Sequence, residues 1–128
     1  MNIADLYVLV LERLRSDHIM RNLVSCIYEQ APTVASIPYV HLHIRHAEDI
    51  ATFDKVACKV HMACYIFSYG ILETIKIAKY ARNALQQLLL EQEFIFVSKG
   101  YRVVRNREIF QSTLSFEVLI DDSLKIRK

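Results

Sequence analysis

Glycine, proline and tryptophan are what this sequence has least of: two Gly, two Pro and no Trp in 128 residues. That scarcity excludes collagen-like, Pro-rich and Gly/Ser-linker architectures and favours long regular elements over loops. Long uncharged apolar runs are missing too. None approaches the ~18 residues needed to span a bilayer, and no signal-peptide pattern opens the chain. The cysteines, Cys26, Cys58 and Cys64, are few and odd in number, so a disulfide framework is not expected and a reduced intracellular compartment is. Charge of one sign is not in excess. A formal net charge of +2 gives no basis for sequence-specific nucleic-acid binding.

What is present is apolar and regular. Hydrophobic residues make up 53% of the chain, the upper end for a water-exposed domain, so some apolar surface is expected to be covered by a partner. The length suits a single domain over residues 1–128, able to bury a core without disulfides or metal. No internal repeat, low-complexity segment or linker divides it.

The stretch from Ile37 to Gly70 organises the rest. In Pro38-Tyr39-Val40-His41-Leu42-His43-Ile44-Arg45, the apolar Val40, Leu42 and Ile44 fall at every second position. From Lys55 to Phe67, Val56, Cys58, Val60, Met62, Cys64 and Ile66 alternate with Lys55, Lys59, His61 and Tyr65. Period-two alternation predicts strands with one buried and one wetted face, here an antiparallel pair. The residues between, Ala47 to Asp54, carry Glu48, Asp49 and Asp54 and read as a surface loop.

Ahead of this pair, Ile3, Leu6, Tyr7, Val10, Leu11 and Leu14 recur at helical spacing, and a short second helix is expected over His18 to Cys26 with Ile19, Leu23 and Val24 on one side. Ile27-Tyr28-Glu29 reads as a short edge segment, and Ala31-Pro32 forces extended backbone. After Gly70, Ile71, Ile75, Ala78, Ala81, Leu85 and Leu88 form one stripe of a long helix, widened by Leu72 and Leu89. A third strand begins at Phe94, with a bulge at Lys99-Gly100, and continues through Val104. Arg105-Asn106-Arg107 turns the chain. A fourth strand follows, with Phe110, Leu114, Phe116, Val118 and Ile120 inward, and the residues from Asp121 are expected to fray. The expected fold is α+β: a two-layer domain with a mainly antiparallel four-stranded sheet and two long helices on one face.

Few residues suggest chemistry. The most tempting constellation is His41-x-His43 with His46 and His61: His41 and His43 share a strand face and His61 can join them from the neighbouring strand, the one arrangement that suggests a small metal-dependent enzyme. No carboxylate falls at a matching spacing on that face, and Arg45, Lys55 and Lys59 share it, so no metal and no cofactor is expected. Cys58 and Cys64 lie on the opposite face from His61, which separates the thiols from a base. Ser68 has no assignable base, and no Gly-rich phosphate loop occurs. Arg102, Arg105, Arg107, Lys125, Arg127 and Lys128 form a basic rim, read as solvated. No catalytic residue is assigned, and the expectation is a protein that is not an enzyme.

The element order and several short motifs resemble the phage tail-completion family, the tail-terminator or tail-to-head joining proteins of siphophages, prophages and gene transfer agents. The motifs are Leu23-Val24 leading to Ile27-Tyr28 and Pro32, the Ile37-Pro38-Tyr39-Val40 start, and the turn Phe67-Ser68-Tyr69-Gly70. The helix ending in Ala84-Leu85 and a closing strand pair with Arg near its turn complete a resemblance covering nearly the whole chain. The sequence departs from family members at Ser25-Cys26 and Glu91-Gln92, where Gly is usual, and at Phe67, where Trp is common.

The resemblance implies a structural protein without an active site. It would assemble as a ring, commonly a hexamer, on the tail tube, stop tube elongation and offer a surface to the head. The implied partners are further copies of this chain, which is monomeric in isolation in one version of this expectation, the tail-tube protein and the head-completion or connector protein. Neither a membrane nor specific nucleic acid is implied. Assembly would take place in the bacterial cytoplasm, and the finished protein would sit in the tail-neck region of the virion. The expected subunit or tube interface is the polar face with His41, His43, Lys55, Lys59, His61 and Tyr65, with Glu48 and Asp49 reaching toward the tube. A regulatory or adaptor domain with an acidic partner is the remaining alternative.

Overall fold

A computed structural model describes residues 2–51 and 56–121. Its first helix, α1 (Ile3–Ser16), starts where Asn2 and Asp5 close a capping box, the Asp5 N–H donating to Asn2 Oδ1 at 2.8 Å. That pairing satisfies backbone donors left free in the first turn. Leu6, Val10, Leu11 and Leu14 form its buried stripe. Asp17 then caps α2 (His18–Leu23) through Met20 N at 2.9 Å. This helix is shorter than expected and buries Met20, while Ile19 stays 45% exposed. A single turn and a half cannot carry a stripe, so one side chain does the anchoring.

The strands are β1 (Cys26–Tyr28), β2 (Tyr39–Ala51), β3 (Val56–Ser68), β4 (Ile95–Asn106) and β5 (Ile109–Asp121), with α3 (Ile71–Glu91) between β3 and β4. They form one five-stranded sheet in the order β1-β2-β3-β5-β4. The α+β class holds, but the sheet is mixed and has one strand more than expected. The addition is β1, which pairs parallel to β2 with Ile27 opposite Val40. Three residues are too few to display an alternation, so the sequence pattern marks only an edge segment there.

The second correction concerns the connector. Ala47 to Ala51 is not loop but the continuation of β2, paired with Val56 to Val60 of β3. The register slips between Ile44, opposite Met62, and His46, opposite His61, so Arg45 is the extra residue of a β-bulge. The bulge inverts the alternation: His46 and Glu48 take the phase that His41 and His43 have before it. The expectation of a loop failed because polar residues at the inward phase read as the end of a strand.

One sheet face is covered by α1 and α3. Val40, Leu42, Val60, Met62, Cys64, Ile66, Leu114, Phe116, Val118 and Ile120 from the strands meet Ile77, Ala78, Ala81, Ala84, Leu85, Leu88 and Leu89 from α3. The helix stripe differs at its start from the periodic reading. Thr74 and Ile77 are buried, whereas Ile71 is 47% and Leu72 80% exposed. Thr74 is the reason: its Oγ1 lies 2.9 Å from Ser112 Oγ and 3.4 Å from the Ile66 carbonyl. The two buried hydroxyls satisfy each other, which offsets the cost of taking them out of water.

The Ser68-Tyr69-Gly70 turn connects β3 to α3. Ser68 Oγ accepts from Gly70 N at 3.2 Å and donates to the Glu73 carboxylate. The side chain of Ser68 thereby shapes the turn and ties it to the first turn of the helix. Gly70 sits at φ −125°, and a Cβ there would meet only Glu73 Cβ at 3.7 Å. The serine, not the glycine, carries the local chemistry. The bulge expected near Lys99-Gly100 is present, with a register slip between Ser98 and Tyr101 and Gly100 at φ +81°.

Arginines close the helical layer. Arg15 donates from Nε and Nη2 to the Ile27 carbonyl at 3.0 and 2.9 Å, fastening α1 to β1. Arg13 pairs with Glu91 at 2.5 Å, joining the ends of α1 and α3. This hydrogen bond, with the guanidinium charge, holds the Glu91 carboxyl below its ordinary range. No helix among the described residues is long and apolar enough to cross a membrane.

Candidate assembly surface

The sheet face away from the helices is open, and the bulge in β2 divides it. On the side of the chain's first strand, aromatic rings form a ridge. Tyr28 meets Tyr39 edge-on at 5.6 Å, and Tyr39 stacks on Phe67 at 4.7 Å. Next to them, His41 and His43 lie 5.8 Å apart and 5.9 and 5.8 Å from the Tyr65 ring. His41 Nε2 also lies 3.1 Å from the Glu29 carbonyl. Such rings present broad, half-wetted contact area with a polar rim, the composition found in protein interfaces.

Beyond the bulge the character changes to charge. His61 Nε2 is 2.9 Å from Glu48 Oε1, and His61 Nδ1 is 3.2 Å from Glu117 Oε1 on β5. The His46 ring stacks on His61 at 3.9 Å with 17° between planes. Lys99 Nζ approaches the same Glu117 oxygen at 3.6 Å. The hydrogen bond from His61 is the main reason the Glu48 carboxyl is held below its ordinary range, with Lys59 adding to it. Beside this cluster, Arg45, Lys99, Arg102, Thr113 and Ser115 line a depression of about 430 Å³.

The expected interface residues separate accordingly. His41, His43 and Tyr65 come together; Lys59, His61 and Glu48 form a second group, with Lys59 directly across from Glu48. Asp49 does not join them. It pairs with Cys58 and so takes the other phase. Lys55 lies outside the described residues, as do Lys125, Arg127 and Lys128 of the expected basic rim. Arg105 turns back on the hairpin, donating to the Arg107 carbonyl at 2.9 Å and packing 5.6 Å from the Phe110 ring.

Three members of the charged group were not in the expected interface set: His46, which the sequence offered only as part of the histidine constellation, Glu117 and Lys99. A signal for the outward turn of His46 exists in hindsight: four polar residues among the five from Arg45 to Asp49, directly after a clean alternation. Glu117 sits at an outward position of β5, but nothing local indicates that β5 lies beside β3. The metal-dependent reading on His41, His43 and His61 finds its residues in different groups. The thiols lie elsewhere: Cys58 and Cys64 are buried on the helix side, and burial pushes the Cys64 thiol up to about 12.

No family model matches the chain, and no curated protein matches it. Solved structures do. A chain from the virion of a native gene transfer agent particle superimposes with a TM-score of 0.74 at 13% identity, covering 91% of this chain and 94% of that one. The gp17 protein of bacteriophage SPP1 superimposes with a TM-score of 0.53 at 14% identity, covering 91% and 88%. The fold is therefore one found in phage and gene-transfer-agent proteins, in agreement with the family resemblance drawn from the sequence.

Proposed function

We propose that this chain is a structural protein of a phage tail or phage-like particle that caps the tail tube, ends its elongation and presents the surface to which the head is joined. The observation that carries this reading is the near-complete overlap in fold with a chain of a gene-transfer-agent virion, over 91% of this chain. A non-enzymatic role accords with the open face, where the ionisable groups pair with one another rather than line an enclosed cleft.

The working assembly is a ring of copies of this chain, six in the family pattern, between the tail-tube protein and a head-completion protein. A ring needs two different patches that meet between neighbours. The open sheet face offers one. The other is supported by exposed apolar side chains near the α3 start and along edge strand β4: Tyr69 at 63%, Leu72 at 80%, Ile95 at 61% and Tyr101 at 51% exposure. Apolar side chains beside an unpaired strand edge favour a covering partner. Assembly would take place in the bacterial cytoplasm, with the product in the tail-neck region of the particle.

Mixing the protein with purified tail-tube protein and imaging the products tests the reading. Tubes capped at one end by this chain and halted in growth are expected. Tubes that lengthen equally with and without it contradict the proposal.

A further inference from the structure

The reason for expecting no metal on the open face was the lack of a carboxylate among the histidines, and the bulge at Arg45 removes that reason. By inverting the phase of β2 it brings Glu48 and His46 beside His61, so that one ligand atom from each lies within 4.8 Å of the others. We propose that His46, Glu48 and His61 bind a divalent transition-metal ion of the zinc type, with Glu117 orienting the His61 ring.

Two imidazoles and one carboxylate are a borderline-soft donor set that suits zinc, leaving a fourth position for water or a group from another molecule. Ligand atoms around tetrahedral zinc, each bonded at about 2.0–2.1 Å, sit about 3.3 Å apart. His61 Nε2 and Glu48 Oε1, at 2.9 Å, are already close to that separation. His46 has to leave its stack on His61 to aim its lone pair at the ion, and it is an exposed side chain with room to turn.

Glu117 supplies what a surface pair of histidines lacks. Its oxygen lies 3.2 Å from His61 Nδ1, so it can hold the N–H there while the ion displaces the proton that His61 Nε2 shares with Glu48, the arrangement carboxylates give metal-binding imidazoles. Lys99, 3.6 Å from the same oxygen, offsets the charge of Glu117 and suits it to hold the ring rather than the ion. Lys59, across from Glu48, adds positive charge near the carboxylate that an incoming ion has to outweigh. A bound ion would clamp β2 to β3 just past the bulge, where the ladder is interrupted.

Untagged, chelator-stripped protein titrated calorimetrically with zinc chloride, with cobalt(II) absorption as a second readout, tests the site. One ion per chain is expected, with visible cobalt bands of nitrogen and oxygen ligation and no thiolate charge-transfer band. His46→Ala and Glu48→Gln, both at exposed positions, should abolish saturable binding while circular dichroism stays unchanged. Glu117→Ala should weaken it by about 10–100-fold, and His41→Ala should leave it intact. Failure of the unmodified protein to bind, binding that survives His46→Ala and Glu48→Gln, or a thiolate band would each overturn the assignment.

Discussion

Along β3, Val60, Met62, Cys64 and Ile66 are at most 1% exposed, while their neighbours Lys59, His61, Tyr65 and Phe67 on the open side are only partly covered. One strand thus serves two surfaces under different constraints. On the helix side these side chains are close-packed, and a change in volume is felt by their neighbours. On the open side the contacts are ring stacks and ion pairs between half-wetted groups, each weak by itself. The contrast teaches that the packed face carries most of what specifies the fold, and that the open face is held by weaker contacts.

The comparison breaks most sharply at Phe116, which is 1% exposed and faces the helices. Phe116→Ala should lower the unfolding free energy by about 3–5 kcal/mol in urea titration, through lost burial and the cavity left behind. Thr74→Val should cost about 1–3 kcal/mol, since it strands the Ser112 hydroxyl in the core. Alkali should also destabilise the fold. Burial pushes the Cys64 thiol up to about 12 in the folded chain, from about 9 where it is exposed to water. A group whose folded value is raised contributes stability that is whole below the unfolded value and is lost as pH rises through the folded one. Unfolding midpoints should therefore fall between pH 9 and 12, and thiol reagents at neutral pH should modify the partly exposed Cys26 well before Cys64.

The smallest effect belongs to the ion pair at the ends of the helices. Glu91 is held below its ordinary range chiefly by the Arg13 hydrogen bond. Its contribution is present above the unfolded carboxylate value and is lost as pH falls through the folded one. Glu91→Gln should flatten the acid side of the stability profile slightly and leave neutral stability almost unchanged, because the pair is largely exposed.

The helix-covered face was legible in the sequence because burial imposes a period, and the apolar periods of β2 before Ile44, of β3, of β5 from Leu114 and of α1 are all uninterrupted. The open face was legible only in part. His41, His43, Lys59, His61 and Tyr65 follow from straight alternation, but Glu48 and His46 reach that face by a bulge, and a bulge changes the phase without changing composition. Asp49 was misplaced for the same reason. Glu117 required knowing that β5 inserts between β3 and β4, a non-local pairing that no spacing within either strand records. At the start of α3 the periodic reading favoured Ile71 and Leu72, and a hydroxyl pair between Thr74 and Ser112 turned the helix instead.

The central claim is that the open face serves assembly rather than folding, and sedimentation of the wild type beside His43→Glu/Lys59→Glu tests it most directly. Both positions lie on the open face at points that make no ion pair among the described residues. The account predicts that the wild type forms a discrete ring, alone at high concentration or on addition of tail-tube protein. The double variant should lose that species while its stability changes by less than about 0.5 kcal/mol. A variant that assembles as the wild type does, or one that loses assembly only because it unfolds, would contradict the claim.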